Sequence, residues 1–439
     1  MTQSSHAPCP PQPWIDDKTG TVSRRIFDDE GIFALEKARI FRRSWLYLAH
    51  ESEIAAPGDV VTRRLAGDPV IVARRDDGGI GVYLNSCRHR GVRLCRVDSG
   101  SMRRFVCPYH GWTFGNDGAL LSTTVDNLFP EGTDFTKLGL IPVPRVATYK
   151  GLIFGSWNTE VGPLEDHLGD FRWYLDLFFA RTPGGATVLG PPQRFVVNAD
   201  WKTAAINFGT DNTHIITTHI GPLTLSKTAF DRKQIMGALR DAVQVSTPGG
   251  HSVSLVTVPG RPYAHYPEEL HPLYERTLDE SQRVILRDLA IGVSTVFPNL
   301  SFIENIAQEV APGVHVKGLL MRQWQPVGPG KIEVLSWCFA EREASAEYRE
   351  AALVRGVNDF GVGGVFEQED VELWSSIGDL SRSPAGDGHP FVFATALPHL
   401  DDPVADHPGP GRAYRPFASE ITQFKFLQHW NQLMTEEPA

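Results

Sequence analysis

Two short pairs of metal-binding side chains in the stretch CRHRGVRLCRVDSGSMRRFVCPYHGW, residues 87–112, restrict this chain more than any other feature. One residue separates Cys87 from His89, two separate Cys107 from His110, and seventeen lie between His89 and Cys107. Two thiolates and two imidazoles make a four-ligand set that suits zinc or an iron–sulfur cluster. A structural zinc site is the simpler reading, but zinc modules usually group both cysteines in one half of the motif and both histidines in the other. One of each in both halves suits a dinuclear cluster, with two cysteines on one iron and two histidines on the other. Five cysteines in 439 residues are too sparse for a disulfide framework, so a reducing cytoplasm is the expected setting. Cys95 fits no ligand position and reads as a small buried residue.

The full pattern, C-x-H-x17-C-x2-H, resembles the Rieske [2Fe–2S] motif, and CRHRG and CPYHGW match it residue by residue. The resemblance implies that Cys87 and Cys107 bind one iron and His89 and His110 the other. Neutral imidazoles in place of thiolates raise the reduction potential, so the cluster can take electrons from a ferredoxin. Six arginines (88, 90, 93, 96, 103 and 104) surround the motif against one acid, Asp98, in a chain of net charge −10. They read either as a solvated loop surface or as a patch that steers an acidic electron donor.

The rest of the chain sets these loops in a larger frame. Residues 28–50 begin with helical spacing of Ile32, Leu35, Ile40 and Phe41. From 45 to 160 short β-branched runs alternate with turns, including hairpins at Asp77-Gly78 and Asp117-Gly118. After 160, helical stretches (LEDHLGDFRWYLDLFF, WKTAAINFGTDNTHIITTHI) mix with strands (RFVVNADW, GVHVKGLLMRQWQPV, KIEVLSWCFA). Residues 381–412 read as a long surface loop, and ASEITQFKFLQHWNQLM as a terminal amphipathic helix presenting Ile421, Phe424, Leu427 and Met434. The expected organisation is 1–44, the helical start of a catalytic domain; 45–160, an all-β Rieske-type domain; and 161–439, the catalytic domain proper. The expected class is α+β, the β domain being inserted in a helix-grip-like domain of antiparallel sheet plus helices. No apolar run approaches a membrane span, the N-terminus reads as a loose Pro-rich arm, and the acidic balance argues against nucleic acid as the partner.

A [2Fe–2S] domain alone needs about a hundred residues, so the remainder must do something else. On one helix Asn207, Asp211 and His214 would form a single stripe, with His219 about 140° further round. The run Ile215–Thr218 and Gly221-Pro222 can end or re-aim that helix. With NADWK, the D-x-x-H-x4-H segment resembles the iron site of the Rieske non-haem iron aromatic-ring-hydroxylating dioxygenases, naphthalene and biphenyl dioxygenase α subunits among them, over nearly the whole chain. That resemblance implies a mononuclear Fe(II) held by His214, His219 and a carboxylate in GGVFEQEDVELW, matched to Asp370, with Glu367 and Glu369 as alternatives. It also implies that Asp211 connects His214 to His110 of a neighbouring chain, and that Asn207 and Phe208 line the substrate site. The implied activity is cis-dihydroxylation of an aromatic ring with O2 and electrons from NAD(P)H through a flavin reductase and ferredoxin. The implied assembly is a trimer of α subunits, with or without small β subunits (α3β3). Thr213, Ile206 and IITTH depart from the family, which carries tyrosine, an acid and an aromatic there, and these suggest a roomier pocket. Rival readings are a Rieske monooxygenase or demethylase, an electron carrier with an empty second site, and a zinc-stabilised interaction module.

Overall fold

The computed structural model describes residues 14–225, 232–260, 262–386 and 388–436; most of the Pro-rich arm, with Cys9, lies outside them. The chain divides into two compact units, one of residues 41–164 and one of residues 1–40 with 165–439.

In the first unit, Asp68–Arg74 pairs antiparallel with Ile80–Leu84 across the Asp77-Gly78 turn, where Gly78 takes a φ of +81° that favours glycine. Asp59–Leu65 and Ser99–Ser101 complete this four-stranded sheet. A second sheet joins Arg104–Val106, Thr113–Gly115 and Leu120–Ser122, so the second Cys–His pair sits on the hairpin between its first two strands. A third contains Leu46–His50, Leu152–Ser156 and Arg145–Tyr149. The helical pattern of residues 28–50 therefore stops early. Asp29 caps helix α1 (Glu30–Glu36) by accepting the N–H groups of Gly31 and Ile32, a π turn follows over Lys37–Phe41, and Leu46–His50 is a buried strand.

The larger unit is built on an eight-stranded antiparallel sheet. Its order is Ala186–Val197, Lys331–Glu341, Leu319–Gly328, Leu300–Glu304, Leu289–Val296, His251–Thr257, Val243–Thr247 and Arg412–Tyr414. Against it lie α2 (Trp201–Phe208), α3 (Asn212–Thr217), α4 (Ile220–Leu225), α5 (Ala346–Phe360), α6 (Val365–Ser381) and α7 (Ile421–Thr435). Helix α7 buries Ile421, Phe424, Leu427, Trp430 and Met434, each worth about 1.5–3 kcal/mol of transfer free energy. The loop expected over residues 381–412 runs between the end of α6 at Ser381 and the strand that begins at Arg412, and its described residues include 3-10 turns and Phe391–Val392, which pairs with Thr21–Val22.

A buried ionic knot places α2. Asp200 caps the helix by accepting the Lys202 N–H at 2.9 Å, and the Lys202 Nζ lies 2.7 Å from Asp200 and 2.5 Å from Glu36. Glu36 also accepts the indole N–H groups of Trp201 and Trp430. The charge in NADWK thus ties α1, α2 and α7 together, with burial pushing the Asp200 carboxyl up to about 7. Among the described residues, no helix is long and apolar enough to cross a membrane.

Candidate metal centres and active site

The two Cys–His loops of the β unit share one construction. Cys87 N–H donates to Val92 O while Gly91 N–H donates back to Cys87 O; Cys107 and Trp112, Gly111 and Cys107 repeat the same pair of bonds. Gly91 and Gly111 both have positive φ, +75° and +71°, which lets each loop turn back on its cysteine. Both thiols are buried, and main-chain N–H groups point at them, from His89 and Arg90 in one loop and from Tyr109 and His110 in the other. Burial raises the Cys87 thiol; at Cys107 burial is outweighed by those N–H groups and the shift is downward. The His89 and His110 rings lie 4.6 Å apart, His89 stacks on Trp112, and His110 Nδ1 is buried without a hydrogen-bond partner. An orphaned imidazole nitrogen beside two thiols that main-chain dipoles favour as thiolates fits a cluster with mixed sulfur and nitrogen ligands. Cys95 is buried, as expected, and its loop is held by Asn85, whose side chain accepts the N–H groups of Leu94 and Cys95 and donates to Cys95 O. The six arginines are exposed.

The second centre lies in the larger unit. Asn207, Asp211 and His214 do not share one helical stripe, because the chain breaks after Phe208. Thr210 takes a φ of +83°, a conformation costing of order 1–3 kcal/mol for a non-glycine residue. Its buried hydroxyl is pinned by Thr422 and Gln244. Asp211 begins α3 but its carboxylate caps nothing, and His214 follows one turn later. Thr217 bonds back to main-chain oxygens in α3, the helix ends, and His219 occupies the corner before α4. The breaks do what the β-branched run implied: they bring both rings to one place, 4.9 Å apart.

Helix α6 supplies the acid. Among the described residues, His214, His219 and Asp370 are the one group of three or more such donors converging on a point, with ligand atoms within 4.8 Å of one another. Asp370 Oδ1 lies 3.8 Å from His214 Nε2 and 3.3 Å from His219 Nε2, is buried, and makes no hydrogen bond. The other ring nitrogens explain this. His214 Nδ1 faces Asp211 O, and His219 Nδ1 faces Glu369 Oε2 at 2.7 Å, so both must carry the proton. Both Nε2 atoms then present lone pairs to a carboxylate oxygen. Three acceptors facing one another without a donor fit a cation held between them, in the two-histidine, one-carboxylate pattern of non-haem iron. Burial opposes a charged His214, but Asp211 and Asp370 outweigh it and raise its pKa. The Asp211 carboxylate stands 3.8 Å from His214 Nδ1, its main-chain oxygen being nearer. Glu369 sits on the far side of His219, and Glu367 is paired with Arg322 at 2.5 Å, so neither joins the convergent three.

A cavity opens onto these three residues. Asn207, Phe208, Ile215, Leu223, Ile291, Val293, Ile303, Phe360 and Phe366 line it, and no lysine or arginine does among the described residues. Behind the Phe208 and Phe360 rings lies Arg322, fully buried, its guanidinium 5.6 Å from each and 5.1 Å from Trp324. Reasoning from the sequence missed Arg322, Asn85 and the Glu369 contact. The charged residue in the otherwise apolar strand LLMRQW was the available signal for the first.

Comparison with known proteins agrees with this geometry. Residues 44–128 match the Rieske [2Fe–2S] domain, and residues 164–435 the ring hydroxylating alpha subunit (catalytic domain). The chain is 33% identical to the N,N-dimethyl phenylurea N-demethylase α subunit of Sphingobium sp. over 94% of its length and 91% of the relative's. Identity is also 33% to the biphenyl 2,3-dioxygenase α subunit of Rhodococcus jostii, over 90% and 85%. A crystal structure of naphthalene 1,2-dioxygenase from Rhodococcus sp. bound to indole superposes with a TM-score of 0.89, at 35% identity and 95% coverage of both chains. Since the catalytic-domain match spans more than half of the chain and these relatives cover 90% or more of it, this chain belongs to the ring-hydroxylating dioxygenase α subunits, oxidoreductases of the Rieske type that carry a [2Fe–2S] cluster and a mononuclear non-haem iron.

Proposed function

We propose that the protein is the terminal oxygenase subunit that adds both atoms of O2 to adjacent carbons of a neutral aromatic ring, giving a cis-dihydrodiol. In this reading Cys87, His89, Cys107 and His110 hold the cluster, and His214, His219 and Asp370 hold the iron. The bound metals supply single-electron delivery and oxygen activation. The chain's own residues bind and orient the ring: Phe208, Phe360 and Phe366 give it aromatic and apolar walls that exclude water. Asn207 places one amide among them. Asp211 sets His214 and links it to His110 of a neighbouring chain in a trimer, with small β subunits completing the assembly. Ferredoxin and a flavin reductase bring electrons from NAD(P)H, the exposed arginines around the cluster offering the ferredoxin a basic face.

The observation that carries this reading is the apolar cavity ending at three convergent lone pairs, with no lysine or arginine among the described residues that line it. The test is turnover of a panel of arenes with a surrogate ferredoxin and reductase under labelled O2. Two labelled oxygens in a diol support the proposal; a single labelled oxygen with every active substrate overturns it. The relative named as an N-demethylase favours a second reading, N-demethylation of an aryl compound, whose mark in the same assay is formaldehyde release.

A further inference from the structure

Consecutive residues of α6 hold the two nitrogens of one imidazole. Asp370 Oδ1 faces His219 Nε2 at 3.3 Å, and Glu369 Oε2 faces His219 Nδ1 at 2.7 Å. The ring itself is 5% exposed and packs edge-on against Phe366. His214 has no matching support: a main-chain oxygen takes its Nδ1, and the nearest carboxylate, Asp211, is 3.8 Å away. We infer that Glu369 is a positioning residue for the metal site, whose carboxylate fixes the His219 tautomer and ring plane. The inference rests on the proposed metal at His214, His219 and Asp370. An ionised acceptor on Nδ1–H pushes electron density toward Nε2, and a carboxylate does this more strongly than a neutral carbonyl. Glu369 acts from outside: its side chain is 32% exposed and borders an open hollow lined by Thr217, Thr218, Gln368, Glu372 and Leu373. Changing it therefore removes no core packing.

The test uses full-length holoprotein with its cluster intact, stripped of mononuclear iron by a mild chelator. Wild type, Glu369→Gln, Glu369→Ala and His219→Ala are compared by anaerobic equilibrium dialysis against Fe(II). The EPR signal of the ferrous nitrosyl complex reports ligand geometry, and cluster absorbance reports folding of each variant. Glu369→Ala is expected to bind Fe(II) about 10–100-fold more weakly than wild type and to change the rhombicity of the nitrosyl signal. Glu369→Gln, which keeps a neutral acceptor, should fall between the two. Wild-type affinity and an unchanged signal in Glu369→Ala overturn the inference alone. A wild type that takes up no iron beyond the cluster overturns the inference together with the metal site beneath it.

Discussion

The Asn85 side chain holds the first cluster loop from behind, and replacing it by alanine should empty the cluster site while sparing the iron site. Asn85 is 2% exposed and lies two residues before Cys87. Its amide donates to Cys95 O at 2.7 Å and accepts from the N–H groups of Leu94 and Cys95 at 3.0 and 2.9 Å. Alanine leaves two buried donors and one acceptor without partners. At about 1 kcal/mol of net loss per bond, the cost is about 3 kcal/mol, and more if water cannot reach the orphaned groups. Domain stabilities run at about 5–15 kcal/mol, so the β unit would keep its fold but hold residues 87–95 loosely. His89 and Cys87 would then no longer be presented together. The assay is iron and acid-labile sulfide per chain, with visible absorbance, for Asn85→Ala against wild type; Fe(II) uptake at the second site is the internal control. A loss of at least half the cluster with undiminished uptake at the second site is expected. Full cluster content, equally resistant to chelation, would refute the reasoning.

Two further outcomes follow from buried charge and buried imidazole. Glu36→Ala leaves Lys202 with Asp200 alone and strands two indole N–H groups in the core, so at about 1–3 kcal/mol for each orphaned donor about 2 kcal/mol or more of stability should be lost, read as a lower urea midpoint by tryptophan fluorescence. Burial holds His251 at a pKa of about 3 and His167 at about 4, and His251 is neutral by design: Nδ1 accepts Phe297 N–H and Nε2–H donates to His167 O. Because the unfolded chain takes up these protons first, near pH 6.5, stability is full above that value. It should fall as the pH drops from 6.5 to about 4, by about 3 kcal/mol for His167 alone. Acid-unfolding curves of wild type and His251→Gln, which cannot be protonated, should separate in that window.

The parts legible in the sequence were those written in local chemistry. The Asp77-Gly78 and Asp117-Gly118 turns announced hairpins because glycine at positive φ follows from two residues alone. Ile421, Phe424, Leu427 and Met434 announced a buried face because helical spacing needs only one helix. The break between α2 and α3 was less legible: Thr210 holds a left-handed conformation only because Thr422 and Gln244, far along the chain, grip its hydroxyl. Glu367, Glu369 and Asp370 looked alike as a charged run, yet α6 directs them to Arg322, His219 Nδ1 and the convergent centre. Their separation depends on which partners the rest of the fold delivers; the charge pattern does not record that, and only the family resemblance of EDVELW singled out Asp370.

The same centre should be a source of instability in the metal-free protein. Asp370 is buried, its Oδ1 accepts no hydrogen bond, and two imidazole lone pairs face it. A buried polar group without a partner costs about 1–3 kcal/mol, and a charged one more. Asparagine has nearly the same shape and carries an amide that can donate to an Nε2 atom, so Asp370→Asn converts a repulsive contact into a hydrogen bond. Without added metal, the variant should therefore be more stable than wild type, raising the melting temperature of the larger unit by about 3 °C or more. Added Fe(II) should reverse the order, since at a hundredfold excess over Kd it stabilises wild type by about 2.7 kcal/mol and barely touches the variant. Stability spent on convergent acceptors is recovered only when a cation sits among them, which is why a metal ligand should be the residue whose loss stabilises the empty protein. A metal-free Asp370→Asn variant that melts below metal-free wild type would show that the carboxylate is already satisfied, and that the centre asks for no cation.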